Sequence, residues 1–207
     1  RKPKVPKKHA RTFTNKEVVE ILSYFDKNTF TGYRNYTIMC ILFGTGMRKS
    51  ELLGLSVLDI HLEENLVTVV GKGNKTRDIP IGTFLRKVLK KYLRDREELC
   101  TSLSTTFTPS LLLGHKGEPL TAHGLDTVFR NLKLHLDIPK GRLSSHTWRH
   151  TFAKTFLLNG GDIFSLQRIL GHEDISTTQI YVDYTTNELK TQNERYNPLN
   201  NNRWQYC

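Results

Sequence analysis

Apolar residues recur at helical spacing over most of the chain, and turn-formers interrupt them at intervals. Thr14-Asn15-Lys16-Glu17 has the form of a capping box, and Val18, Val19, Ile21, Leu22 and Phe25 follow, which predicts a helix over about 14–26. A second helix over about 33–45 is apolar through Ile38, Met39, Ile41, Leu42 and Phe43, with Gly44 and Gly46 ending it and Ser50 capping a short helix beyond. Leu66–Val70 and Thr76–Ile81 alternate as strands around a Gly-Lys-Gly-Asn-Lys turn, a β-hairpin whose tip carries Lys72 and Lys75. A helix over about 83–97 takes Phe84, Leu85, Val88, Leu89, Tyr92 and Leu93 as its inner stripe, and a Ser/Thr-rich stretch over 101–110 reads as a loop.

After a short apolar run at Leu111–Leu113 the pattern is again helical over about 122–136. Another helix starts near Ser144 or Ser145 and stops at Gly160-Gly161. Asp162 caps the next, which ends at Gly171-His172, and Asp174 or Ser176 caps a further short helix containing Tyr181 and Tyr184. A polar helix over about 185–195 and an Asn-rich tail with Trp204 and Tyr206 close the chain. The fold class expected is mainly α with a small antiparallel β-sheet, α+β.

Composition narrows the partner. With 37% hydrophobic and 25% charged residues over 207 positions, the chain can bury a core, and one domain, or at most a domain with a small appendage, is expected. The net charge of +11 favours a polyanion such as nucleic acid. Residues 1–11 are basic and proline-punctuated, which suits a linker lying along phosphates, with a solvated tail as the alternative. Cys40, Cys100 and Cys207 are far apart and form no Cys-x-x-Cys pair, which fits a reducing cytoplasm better than a disulfide framework. No run is apolar enough for a membrane span, and a chain that opens on Arg1 is expected to be a piece of a longer one.

Candidate chemistry centres on His146-Thr147-Trp148-Arg149. On a helix His146 and Arg149 share a face near its N-terminus, a seat for a phosphate. Arg48, at the break before a short helix, needs either Glu51 or a bound anion as its partner. Thr45-Gly46-Met47-Arg48-Lys49-Ser50-Glu51-Leu52, the lysine of Gly71-Lys72-Gly73-Asn74-Lys75, His146-x-x-Arg149, Leu170-Gly171-His172 and Tyr181 occur in order over about residues 12–184. Together they resemble the tyrosine recombinase (phage integrase) family, in the region of its C-terminal catalytic domain.

That resemblance implies DNA strand cleavage and rejoining through a 3′-phosphotyrosine, without a cofactor or metal. It implies catalytic roles for Arg48, Lys72, His146, Arg149, His172 and Tyr181. The two arginines and two histidines would stabilise the phosphoryl oxygens, His146 would accept the Tyr181 proton, and Lys72 would protonate the leaving 5′-oxygen. Glu51 and His150 are supporting residues in this reading, and Lys49, Lys75 and Arg77 contact DNA. Lys75 remains an alternative to Lys72, and Tyr184 to Tyr181. His146 and His150 are spaced as in helical metal sites, but no third ligand is evident. The implied partners are double-stranded DNA, three further copies of the chain in a homo-tetramer docked through residues 185–207, and accessory DNA-bending proteins. The implied location is a bacterial cytoplasm, at the nucleoid. A type IB topoisomerase and a non-catalytic DNA-binding regulator are the competing functions.

Overall fold

The computed structural model describes residues 11–104, 108–139, 141–182, 184–197 and 200, with Lys72 described by its backbone alone. Residues 1–10 of the basic linker, Trp204 and Tyr206 therefore lie outside the described residues. Among those described the chain is mainly helical with one three-stranded antiparallel sheet.

Helix α1 spans Asn15–Ser23, and its cap is the reciprocal one expected: Thr14 accepts from the Glu17 amide while Glu17 accepts from the Thr14 amide. Val18 and Ile21 face inward, but Val19 is exposed, one position outside the buried stripe. Helix α2, Phe30–Thr45, is buried on nearly every side, so it has no polar face to present and becomes the centre of the fold. It packs against helix α4, Thr83–Ser102, and against helix α6, Ser145–Leu158. In α4 Leu85, Val88, Leu89 and Tyr92 are buried, whereas Phe84, at the first turn, is exposed.

Between them lie the short helix α3, Lys49–Gly54, and the sheet. Strand β1, Ile60–His61, pairs with β2, Leu66–Val70, which pairs with β3, Thr76–Pro80. Two residues are too few to show an alternation, which is why β1 is invisible in the apolar pattern. Helix α5, Ala122–His135, completes the large core with Leu125, Val128, Phe129 and Leu132.

Helix α6 belongs to two cores. Its first half buries Trp148 against Phe13 and Phe43 in the large one. Its second half gives Ala153 and Leu157 to a smaller cluster with Leu166 and Leu170 of helix α7, Ile163–Leu170, and with Tyr181. The short helix α8, Ser176–Gln179, and helix α9, Thr186–Tyr196, follow. Tyr181 and Tyr184 both fall between these two helices rather than inside one, because α8 stops after a single turn. No helix among the described residues is long and apolar enough to cross a membrane.

Candidate active site

Arg48 owes its position to Gly46. Helix α2 ends with Gly46 in the left-handed region, φ 62°, and a Cβ there would come within 2.3 Å of the Phe152 ring. Met47 is fully buried, and the chain re-enters helix with Arg48, not Ser50, as the N-cap of α3. Glu51, on the first turn of that helix, accepts from the Arg48 amide at 2.7 Å and from Arg48 Nη1 at 2.9 Å. Arg48 thus has the carboxylate partner that its location demands, yet 41% of its side chain remains exposed.

The Glu51 carboxylate is almost wholly buried, and Arg77 of β3 grips it as well: Nη1 to Oε1 at 2.9 Å and Nη2 to Oε2 at 3.0 Å. Burial pushes the Glu51 carboxyl up, but its bonds to Arg77 and Arg48 outweigh this and hold it at about 2. Arg77 was expected on DNA. Its guanidinium is instead turned inward, and Nε donates to the Ile169 carbonyl at 2.8 Å.

Arg149 enters from α6 and is buried. It donates to the Gly46 carbonyl at 2.7 Å, the Leu170 carbonyl at 2.8 Å and His172 Nε2 at 2.8 Å. Burial and the neighbouring Arg48 bring it down to about 10, so it stays charged at neutral pH. Arginine can only donate, so His172 Nε2 is the unprotonated nitrogen, and Nδ1 carries the proton toward Thr178 Oγ1 at 2.8 Å. Burial and then Arg149, Arg48 and Arg77 push His172 down to about 4, which makes it neutral at pH 7. His172 was expected to donate from its ring to a phosphate. In this arrangement Nε2 is an acceptor, because Arg149 occupies it.

Tyr181 is only 4% exposed, with its ring 6.5 Å from His172 and nearly parallel to it, and 5.3 Å from His150. Burial raises its phenol, and Arg149 and Arg48 offset only part of that. Tyr184 packs on the outside of the same cluster, where burial, Glu188 and Tyr196 all raise its phenol. Of the two tyrosines, Tyr181 is the one beside the arginines.

His146 is exposed on the first turn of α6, and its Nε2 meets His150 Nε2 at 2.7 Å. Burial, His146 and Arg149 push His150 down to about 4. Lys75 pairs with Glu173 at 2.8 Å, both largely exposed, and Lys49 pairs with Asp126 of α5. Lys72 lies in the turn between β2 and β3. Among the described residues no group of three or more His, Cys, Asp or Glu is arranged to hold a metal.

Two open clefts meet at Arg48. One, of about 440 Å³, is lined by Arg48, Lys49, Ser145, His146 and Arg149. The other, of about 600 Å³, is lined by Arg48, Lys75, Arg77, Arg168, His172 and Glu173. The first is lined by cations and no carboxylate, while in the second Glu173 and Asp174 offset part of the charge of Arg48, Lys75, Arg77 and Arg168; cations and donors on both sides suit a phosphate chain crossing the Arg48 ridge. The apolar pattern and motifs miss four features: the carbonyls of Gly46 and Leu170, the hydroxyl of Thr178, and the inward course of Arg77. The last had a signal. Arg77 shares strand parity with the buried Ile79, so alternation alone points it to the core side.

Residues 11–188 match the model of the phage integrase family. The tyrosine recombinase XerD of Staphylococcus haemolyticus is 37% identical over 197 residues, which is 95% of this chain and 65% of that protein, so this chain spans just under two thirds of the length of such a relative. Among solved structures, XerA recombinase superposes with a TM-score of 0.76 at 28% identity, over 93% of this chain and 67% of XerA. XerH site-specific recombinase, in a pre-cleavage complex with its difH substrate, superposes with a TM-score of 0.67 at 25% identity, over 93% and 56%. The chain belongs to the phage integrase family of tyrosine recombinases.

Proposed function

We propose that this chain is the DNA-cutting unit of a site-specific recombinase serving a phage, transposon or other mobile element. The observation that carries the reading is the placement of Arg48, Arg149 and His172 around Tyr181, at the junction of two basic clefts. Similarity to XerD, and to XerH solved with a DNA substrate, supports it.

In the proposed reaction the Tyr181 oxygen attacks a backbone phosphorus, the bond from phosphorus to the 5′-oxygen breaks, and a 3′-phosphotyrosine and a 5′-hydroxyl result. The 5′-hydroxyl of a partner strand then reverses the step. Arg48 and Arg149 hold the non-bridging oxygens, where charge builds in the transition state. Lys72 gives its proton to the leaving oxygen, and His146 takes the one from Tyr181. A sheltered phenol with a raised pKa is a poor nucleophile, so the phosphate must draw Tyr181 out toward the arginines before it attacks.

Residues 12–184 form the catalytic unit in this reading, working on double-stranded DNA in a homo-tetramer aided by DNA-bending proteins, at the bacterial nucleoid. Residues 185–207 dock on a neighbouring copy. In the single chain α9 rests on its own α6, through Gln192 to the Leu158 carbonyl and Lys154 to Glu188. Together with a longer Gln192 bond to the Leu157 carbonyl and Tyr196 against Gly160, these few contacts are a hold that a partner could replace.

The test is a nicked duplex, drawn from the DNA flanking the gene, on which cleavage is trapped and read as a covalent adduct on a denaturing gel. Wild type and Tyr184→Phe are expected to form the adduct, and Tyr181→Phe to lose it. The reverse pattern overturns the assignment. Relaxation of arbitrary supercoiled plasmid without joining of two sites would favour a topoisomerase.

A further inference from the structure

Arg77 lies where three site-bearing elements meet, and it touches each of them. It stands on β3, just past the turn that carries Lys72. Both its terminal nitrogens grip Glu51, the carboxylate that also holds Arg48. Its Nε binds the Ile169 carbonyl, and Gly171 crosses its guanidinium so closely that a Cβ there would sit 3.0 Å away. The end of α7 leaves carbonyls without helical partners, and two arginines satisfy them: Arg77 takes Ile169 and Arg149 takes Leu170. The next residues are Gly171 and His172, so this capping sets where His172 begins.

A phosphate contact is the competing role for this cation. It would require the fork to leave Glu51, which is 2% exposed, and so strand a buried carboxylate with Arg48 as its remaining charged partner. The Arg77 side chain is itself only 15% exposed. Geometry therefore favours an internal role.

We propose that Arg77 is a positioning residue which, without touching DNA, holds Arg48 in place through Glu51 and His172 in place through the end of α7. The proposal rests on the recombinase reading for its effect on rate. The holding of Glu51 is independent of that reading.

The experiment compares the whole 207-residue chain with Arg77→Lys, Arg77→Gln and the double variant Arg77→Gln/Glu51→Gln. Carbon-13 NMR of the Glu51 carboxyl is expected to show its pKa rising toward the ordinary range in Arg77→Gln and by less in Arg77→Lys. Binding to a random-sequence duplex across a salt series is expected to keep its slope, whereas loss of a phosphate contact would reduce that slope by about one. Single-turnover cleavage of the nicked duplex is expected to fall about a hundredfold in Arg77→Gln, the scale of a misplaced catalytic group. That variant should also gain an acid limb in its pH profile that matches the Glu51 titration and is missing from the double variant. A merely structural lesion would not produce a limb that Glu51→Gln removes. An unmoved Glu51 titration, or a salt slope reduced by one, overturns the proposal. Failure of the wild type to form an adduct would instead overturn the recombinase reading, while the NMR and binding results still decide whether Arg77 clamps Glu51.

Discussion

The large and small cores do different work. The large one is built from α1 to α5, the sheet and Trp148, and it carries Arg48, Glu51 and the Lys72 turn. The small one has five buried residues, Ala153, Leu157, Leu166, Leu170 and Tyr181, and it carries the tyrosine itself and the end of α7 that leads into His172. In the proposed reaction the charge-stabilising groups thus stand on the heavier body and the nucleophile on the lighter one. Stability is not uniform across a structure, and elements with few buried apolar contacts open first. The division suits a reaction in which the arginines must be in place beforehand while a sheltered phenol must move. Arg77 ties the two bodies through Glu51 and the Ile169 carbonyl, and Arg149 ties them through Gly46 on one side and Leu170 and His172 on the other.

Removing the Arg149 tie should have the largest effect. Arg149→Gln is expected to lower single-turnover cleavage by about 10²–10³-fold, the range for a lost transition-state donor. It should also speed amide hydrogen exchange over residues 163–182. Loss of rate with unchanged exchange would show that Arg149 serves charge alone and that the two bodies are joined elsewhere. Trp148→Ala and Leu166→Ala then separate the cores, both residues being fully buried. Trp148→Ala is expected to cost about 3–5 kcal/mol of global stability in denaturant unfolding. Leu166→Ala is expected to cost about 2–3 kcal/mol, most of it visible as local exchange around Tyr181. Equal global losses from both would erase the distinction.

Acid should act mainly on the lighter side. His150 and His172 sit at about 4, below the ordinary 6.5, so between those values the unfolded chain binds more protons than the folded one. Stability therefore falls as pH drops from about 6.5 to 4, by roughly 3 kcal/mol after allowance for partial exposure. Glu51, held at about 2 against an ordinary 4.5, keeps its contribution above that ordinary value and loses it as pH falls through about 2. Urea unfolding at a series of pH values checks both steps, and a flat response between pH 7 and 4 would contradict the histidine environments.

Much of this was legible in the chain. The caps at Thr14, Ser144 and Asp162 lie where local side-chain chemistry puts them, because a cap depends on a few adjacent residues. The order of motifs pointed to the family that the comparisons show. What the chain did not disclose was which groups its inward donors meet. Arg77 read as a DNA contact and His172 as a phosphate donor, since each has the right charge or ring for that role. Only the fold brings Glu51 and the Ile169 carbonyl to Arg77, and only the fold places Arg149 on His172 Nε2. Strand parity with Ile79 does point Arg77 inward, but the partners that fix such orientations are distant in the chain, and periodicity does not name them. Tyr181 was also expected inside a helix, and α8 proved too short to reach it.

The smallest effect belongs to the salt bridge between Lys75 and Glu173 across the wider cleft. Lys75, on the hairpin, meets Glu173, just after His172, with side chains 74% and 82% exposed. Exposed pairs lose most of their attraction to water and salt, so Glu173→Gln should leave Tm within about one degree. The same change removes a negative charge from the cleft and releases Lys75 from this pairing. Binding of a random-sequence duplex at low salt should then tighten by about two- to threefold, and the gain should vanish as salt is raised. A Tm drop of several degrees would mean that this contact, and not Arg149, clamps the lighter body to the heavier one. Weaker binding would mean that Lys75 needs Glu173 to hold its place in the cleft.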